Sequence, residues 1–391
     1  MPQALDLFAG CGGLSLGFEA AGFEVVGAYE ADKWAADTYK HNFPGARVEV
    51  GDLTSHSLPY WKREYGGVDV VMGGPPCQGF SVSGKRQYGE VLESTGRVGD
   101  FVNIVKTVRP RVFLFENVAG FRSADLSQRT PALRLVLSLE SAGYAVDSRV
   151  LQATAYGVPS LRSRVFVVGT LGSAVPVPFP EPTHGGNVSD GKLPLVGVMD
   201  AIGDLPAIRA REGTNDFQPY SQGPTSPYQA SMRGDSAGVY NHEAMKHTRR
   251  LVERFAGTPP GGSGYEIGRS RHADKPTATV YKSNNQRLFG DRPSLCITAN
   301  FQSSYIHPVL DRNLTAREAA RLMTFPDRYF FCGRRTLMSA KLLAAEGRSD
   351  ENHLSQYNQI GNAVPPLLAR RLAERLLEEL ELRQGHRDSG R

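Results

Sequence analysis

From Ala4 to Gly169, short apolar runs bounded by turn residues alternate with segments whose apolar positions fall at helical spacing. Residues 4–8, 24–29, 48–53, 68–72, 112–118 and 164–169 each read as a strand, and Leu14, Leu16, Phe18 and Ala21 mark a helix directly after the first of them. Repeated strand and helix in this order predicts an α/β fold with a mainly parallel sheet. The alternation then stops. Residues 175–182, Val-Pro-Val-Pro-Phe-Pro-Glu-Pro, form an extended linker that marks a domain boundary. From Thr183 to about Leu310 the chain is rich in Gly, Pro, Ser and Asn, which predicts short strands and few helices. Within that stretch 274–280 weakly echoes 291–298, each reading as a turn that enters a strand. Near the end, Leu368, Leu372, Leu376 and Leu380 form one stripe on a helix over 367–382, as expected of a segment that returns to the first domain. The first domain is therefore expected to be discontinuous, residues 1–179 and 352–391, with a smaller irregular β-rich domain and hinge over 180–351.

Composition changes this picture little. A chain of 391 residues with 40% hydrophobic content can build two cores. The net charge of +5 fits a polyanionic partner without proving one. Its distribution says more, because Lys246, Arg249, Arg250, Arg254, Arg269, Arg271 and Lys275 face only Glu253, Glu266 and Asp274 in the same stretch. Phosphate contact is the functional reading and a solvated helix face the plain one. Cys11, Cys77, Cys296 and Cys332 show neither paired short spacing nor a zinc pattern, so no metal is expected. His242, His247 and His272 read as surface or phosphate-contact residues before metal ligands. Met1-Pro2-Gln3 runs straight into the first strand and no apolar run has membrane-spanning length, which makes the cytosol the expected compartment.

Cys77 carries the sharpest chemical signal. It sits in Gly73-Gly74-Pro75-Pro76-Cys77-Gln78, a stiff turn at the end of the strand 68–72, where open α/β sheets bind ligands. A lone cysteine is more often a buried small hydrophobe. The strand 112–118, however, carries Glu116 near its end, and parallel pairing would bring that carboxyl to the same rim. Thiol plus carboxyl is a nucleophile and proton-handling pair. Ahead of them, Ala9-Gly10-Cys11-Gly12-Gly13 is a glycine turn between a strand and a helix, suited to close approach of a nucleotide-like cofactor. Glu30 lies where an acid would meet ribose hydroxyls, and Asp52 could accept from an adenine amine. Either acid alone would read as a solvated turn residue.

These segments, in this order, resemble the bacterial-type DNA (cytosine-5)-methyltransferases. Residues 6–13 resemble the family's S-adenosylmethionine loop, Pro75-Pro76-Cys77-Gln78 its nucleophile motif, and Glu116-Asn117-Val118 its cytosine-holding motif. Tyr156-Gly157-Val158-Pro159 with Arg162 and Arg164 resembles its arginine motif, 312–327 the motif that supports target recognition, and 359–365 the one that returns to the cofactor pocket. Ser160, Leu161 and Ala316 depart from the usual pattern without touching the expected chemistry.

The resemblance implies a Rossmann-like catalytic domain, a target-recognition domain, and methyl transfer from S-adenosylmethionine to C5 of a flipped-out cytosine in a specific duplex sequence. Cys77 would add to C6, Glu116 would protonate N3, and Arg162 and Arg164 would hold the base carbonyl and orient Glu116. The cofactor would meet Phe8, Gly10, Gly12, Gly13, Leu14, Glu30, Asp52, Leu53, Pro75, Asn362 and Ala363. Flipping predicts a moving segment, and 78–99, rich in glycine and without apolar periodicity, fits a loop whose Ser81, Ser83, Lys85 and Arg86 reach DNA. Arg249, Arg250 and Thr298 complete the expected DNA contacts. A monomer working in a bacterial restriction-modification system, with a cognate endonuclease encoded elsewhere, is the implied setting. Three alternatives stand beside this: a transfer-RNA methyltransferase, a silent DNA binder on the same fold, and an NAD-dependent oxidoreductase. Gly79-Phe80-Ser81 and the long middle domain speak against the first. The joint presence of Cys77, Glu116, Arg162 and Arg164 speaks against the second, and the Pro-Pro-Cys-Gln segment against the third.

Overall fold

The computed structural model describes residues 1–76, 96–121, 131–186, 191–264, 284–336, 340–348 and 351–388. It divides into two units. The first comprises Met1–Ala153, Ser163–Pro182 and Pro366–Arg391, and the second Thr154–Arg162 and Thr183–Pro365. The break after Pro182 falls three residues beyond the expected one, whereas the chain returns at Pro366 rather than at 352. The helix Gln356–Asn362 therefore belongs with the second unit.

In the first unit the order is β1 (Gln3–Leu7), α1 (Gly13–Ala20), β2 (Glu24–Glu30), α2 (Lys33–Asn42), β3 (Val48–Val50), α3 (Leu58–Tyr65), β4 (Val70–Gly73), α4 (Arg97–Val108), β5 (Val112–Val118), α5 (Pro131–Glu140), β6 (Tyr144–Gln152) and β7 (Ser163–Leu171). The strands form one seven-stranded sheet in the order β3-β2-β1-β4-β5-β7-β6. β1 to β5 run parallel, and β7 pairs antiparallel with both β5 and β6. Strand order reverses between β1 and β4, and such a switch point opens a crevice at the carboxyl ends of the strands.

Both faces of this sheet are covered, which is why its strands read as nearly continuous apolar runs. Leu5, Val71, Phe113 and Phe115 join a core with Trp61 of α3, Phe101 and Val105 of α4, and Leu139 of α5. Val70, Met72 and Leu114 point the other way by the two-residue period of a strand and are equally buried. The terminal helix Pro366–Asp388 lies against α1, with Leu368, Leu372, Leu376 and Leu380 all buried. Gly17 permits that approach, since a Cβ there would stand 2.5 Å from the Ala369 Cβ and 2.6 Å from the Arg370 nitrogen. The linker is docked rather than free: Val177 and Phe179 are buried, and the Val177 amide donates to Thr170 Oγ1 at 3.3 Å.

In the second unit the described strands are two residues long and occur in four pairs. Buried charges join the segments there. Arg321 donates to both oxygens of Asp327 at 2.6 Å and to Asp204 at 3.1 Å, and Arg233 reaches the same Asp204. Arg312 grips Glu318 through two bonds of 2.8 and 2.7 Å, while Thr315 and Glu318 form a capping box on the helix Ala316–Leu322. Burial opposes ionisation of Glu318, but Arg312 and the nearby histidines more than offset it and hold the carboxyl well below the usual range. Removing one partner of such a pair would strand a buried charge, which is strongly destabilising.

Candidate active site

The loop between β1 and α1 needs left-handed backbone at three positions: Phe8 (φ 61°), Gly10 (φ 54°) and Gly12 (φ 86°). Two bonds to β2 set its course. The Ala9 amide donates to the Tyr29 carbonyl at 2.9 Å, and the Gly10 amide donates to Glu30 Oε2 at 2.8 Å. Glu30 Oε1 accepts from the Asp32 amide at 2.7 Å, so this carboxylate fixes the loop and the start of α2 together. Burial pushes the Glu30 carboxyl up. A Cβ at Gly10 would meet nothing within 4 Å, so the loop borders open space. Gly13 opens α1, and Leu14 and Leu53 are buried.

Asp52 follows β3 and is half exposed. Its Oδ1 accepts from the Thr54 amide (2.9 Å) and Thr54 Oγ1 (2.8 Å), which caps the short turn Leu53–Ser55. Arg97, the first residue of α4, donates to Oδ1 at 2.5 Å and Oδ2 at 2.6 Å. Those bonds hold the Asp52 carboxyl well below the usual range. Of the expected loop over 78–99, residues 78–95 lie outside the described residues, and from Arg97 onward the chain is helical.

Beneath the glycine loop, Asp6 is fully buried, with Oδ2 accepting from Ser15 Oγ at 2.6 Å and Oδ1 lacking a partner among the described residues. Desolvation pushes its pKa up to about 7. A carboxyl raised in the fold favours the folded state fully below its unfolded pKa, and that contribution is lost as pH rises toward 7. Three pKa units correspond to about 4 kcal/mol at most. Asp6→Asn, a neutral residue of the same shape, is therefore expected to gain stability relative to the parent as pH moves from 5 to 8. Urea unfolding of both proteins at the two pH values checks this, and a constant difference would show that Asp6 does not titrate in that range.

At the other side of the switch point β4 and β5 pair in parallel, Gly73 opposite Phe115. Gly74 and Glu116 are next in register, and a Cβ on Gly74 would stand 2.8 Å from Glu116 Oε2. Asn117, also buried, donates from Nδ2 to the carbonyl of buried Pro75 at 3.1 Å while its Oδ1 accepts from the Val118 amide at 2.7 Å. That side chain ties the start of the Pro-Pro turn to the end of β5. Arg164 comes from β7, where residue 166 faces Glu116, so Arg164 is its diagonal neighbour on one sheet face. Its Nε lies 3.0 Å from Glu116 Oε1, and both side chains are largely buried. Cys77, Ser81, Ser83, Lys85 and Arg86 lie outside the described residues, as do Arg269, Arg271, Lys275 and the first half of the weak repeat.

Arg162 departs from expectation. It belongs to the second unit, is 1% exposed, and donates to the carbonyls of Ile297 (2.8 Å), Gly361 (3.0 Å) and Asn362 (3.3 Å). Through these bonds the buried guanidinium joins three segments of that unit. Thr298 and the 361–363 turn meet at this same junction: a Cβ on Gly361 would stand 2.2 Å from the Thr298 carbonyl oxygen. Asn362 ends the helix Gln356–Asn362, and Ala363 follows as its cap. Arg249 and Arg250 open the helix Arg249–Ala256 on its solvent side, with Arg249 94% exposed and paired to Glu253 at 3.0 Å. Phe255 anchors the opposite face.

Gly74, Arg97 and the anchoring role of Asn117 escaped sequence reasoning. The glycine and the asparagine lie inside motifs already singled out, so their neighbours could have drawn notice to them. Among the described residues there is no group of three His, Cys, Asp or Glu able to hold a metal ion, and no helix long and apolar enough to cross a membrane.

A family model described as C-5 cytosine-specific DNA methylase matches residues 3–378. The Type II methyltransferase M.DdeI of Desulfomicrobium norvegicum is 42% identical over 379 residues, covering 95% of this chain and 88% of that protein. M1.HphI of Haemophilus parahaemolyticus, also a Type II methyltransferase, is 34% identical, covering 96% and 86%. An E. coli prophage-encoded protein assigned as a DNA modification methyltransferase superposes with a TM-score of 0.72 at 24% identity, covering 97% of this chain and all of that one, a likeness of fold. The S. pombe Dnmt2 methyltransferase has a TM-score of 0.58 at 17% identity, with 97% and 100% covered. With its mainly parallel sheet, its glycine crevice and a matching family model across nearly its whole length, the chain belongs to the C-5 cytosine-specific DNA methylases and is a DNA (cytosine-5)-methyltransferase of the restriction-modification type.

Proposed function

We propose that the protein methylates C5 of a cytosine flipped out of a specific duplex sequence, through a covalent bond between Cys77 and C6. The carrying observation is the junction of β4 and β5, where Asn117 holds Pro75 and Glu116 stands beside Gly74 with Arg164 against it. Cytosine C5 is a poor nucleophile while the ring is conjugated. Addition of the Cys77 thiolate to C6, with a proton from Glu116 to N3, makes C5 electron-rich. Arg164 keeps the Glu116 carboxyl in place for that transfer. Once C5 carries the methyl group, a base removes the C5 proton, the C6–S bond breaks, the N3 proton returns to Glu116, and the Cys77 thiolate is released.

S-adenosylmethionine supplies the electrophilic methyl group that C5 takes. The first unit's crevice suits such a group: open space at Gly10, and carboxylates at Glu30 and Asp52 able to accept from ribose hydroxyls and an adenine amine. Phe8, Gly12, Gly13, Leu14, Leu53 and Pro75 would line it, and Asn362 and Ala363 are assigned to it on resemblance alone. Incubation with methyl-labelled S-adenosylmethionine, unmodified DNA and transfer RNA, followed by mapping of 5-methylcytosine, tests the activity. Label at one short DNA motif is expected; label confined to transfer RNA would overturn the assignment.

Target reading is assigned to the second unit, by side chains meeting base edges in the major groove. Ser81, Ser83, Lys85 and Arg86 contact DNA at the flipped nucleotide, and Thr298 supports it. Arg249 and Arg250 contact phosphates. Each lost phosphate contact lowers the salt slope of binding by about 0.9. Arg249→Ala with Arg250→Ala is thus expected to lower the slope of log K against log salt by about 1 to 2, measured by fluorescence anisotropy at several salt concentrations. An unchanged slope would place this helix away from DNA. Acting as a monomer, the enzyme would protect host DNA from a cognate endonuclease encoded elsewhere.

A further inference from the structure

The Asp52–Arg97 pair asks for an explanation beyond a surface ion pair. Arg97 is the first residue of α4, the positive end of a helix, where a cation is unfavourable. Something must offset that position. Asp52 follows β3, whereas α4 joins β4 to β5, so the pair spans the carboxyl edge of the sheet past β2 and β1. Glu30 and the glycine loop occupy that same edge.

The distribution of donors on the carboxylate is uneven. Oδ1 takes three, from Arg97 Nη1, the Thr54 amide and Thr54 Oγ1. Oδ2 takes one among the described residues, Arg97 Nη2. A carboxylate oxygen has two lone pairs, which leaves Oδ2 with one accepting direction. The Asp52 side chain is 41% exposed, so that direction is open to a ligand donor. The fork of two parallel bonds also fixes the carboxylate plane, which a lysine could not do.

We propose that Arg97 is a positioning residue of the cofactor site, holding Asp52 so that Oδ2 presents one acceptor to the exocyclic amine of the adenine. This rests on reading the crevice as the S-adenosylmethionine site.

Calorimetric binding of S-adenosylhomocysteine and of its inosine counterpart, in which a ring carbonyl replaces the amine, tests the assignment. The parent enzyme is expected to prefer the amine by about tenfold, the discrimination one charge-assisted hydrogen bond supplies. Arg97→Ala is expected to cut that preference to within about threefold, with Arg97→Lys between the two. The lysine variant decides the matter if the alanine variant fails to fold. Retention of the full preference by the variants, or its absence in the parent, would overturn the role of Arg97. Failure of the parent to bind either compound would overturn the cofactor reading itself.

Discussion

Cys77→Ser is expected to cut methyl transfer on the order of 10⁴-fold or more while leaving affinity for duplex DNA within a few-fold. A serine hydroxyl is almost fully protonated at neutral pH and a far weaker nucleophile toward C6, so C5 would not be activated. Cys11, in the same unit as Glu116, offers no substitute. Cys11 is buried, and burial pushes its thiol up. Cys296 and Cys332 belong to the second unit. Methyl transfer to DNA and gel-shift affinity, measured on the same preparation, separate chemistry from binding. Normal turnover by the serine variant would remove Cys77 from the mechanism.

The second large effect is expected at Glu116. Glu116→Gln keeps size and hydrogen-bonding shape but cannot deliver a proton as a carboxylic acid does, and general acid catalysis contributes about 10²- to 10⁴-fold. A loss of that size in kcat, with KM for DNA changed only a few-fold, is the expected result. Arg164 contacts Glu116 directly at 3.0 Å, so Glu116→Gln also weakens a partly buried ion pair. Thermal melting of the variant therefore accompanies the kinetics. Loss of kcat with an unshifted melting point assigns the effect to proton transfer, whereas a fall in both together would point to structural damage.

Much of the first unit was legible because its signals are local. Apolar runs bury both faces of the sheet, so the strands announce themselves, and the leucine stripe near the end needed only helical spacing. Glycines at 10 and 12 take the left-handed backbone that their type suggests. Contacts between segments far apart in the chain were less legible. Arg97 and Asp52 are 45 residues apart, with no shared pattern to join them. The resemblance gives Arg162 a base carbonyl to hold, and in the fold it donates to the backbone carbonyls of Ile297 and Gly361, a use that sequence does not reveal. The second unit hides its interior most thoroughly. Arg312, Arg317, Arg321, Asp204 and Asp327 are all fully buried, although charged residues ordinarily mark the surface. The i, i+3 relation of Thr315 and Glu318 was one readable trace of that network, as a helix-start signature.

The central claim is a covalent bond between Cys77 and C6 of cytosine. Duplex DNA carrying 5-fluorocytosine at the methylated position tests it directly, because fluorine cannot leave C5 as a proton does and the adduct cannot resolve. With S-adenosylmethionine present, the account predicts a complex that survives denaturation, one enzyme per duplex, whose crosslinked peptide contains Cys77. Recovery of the methyl group on DNA with no such adduct, or an adduct mapped to another residue, would contradict it.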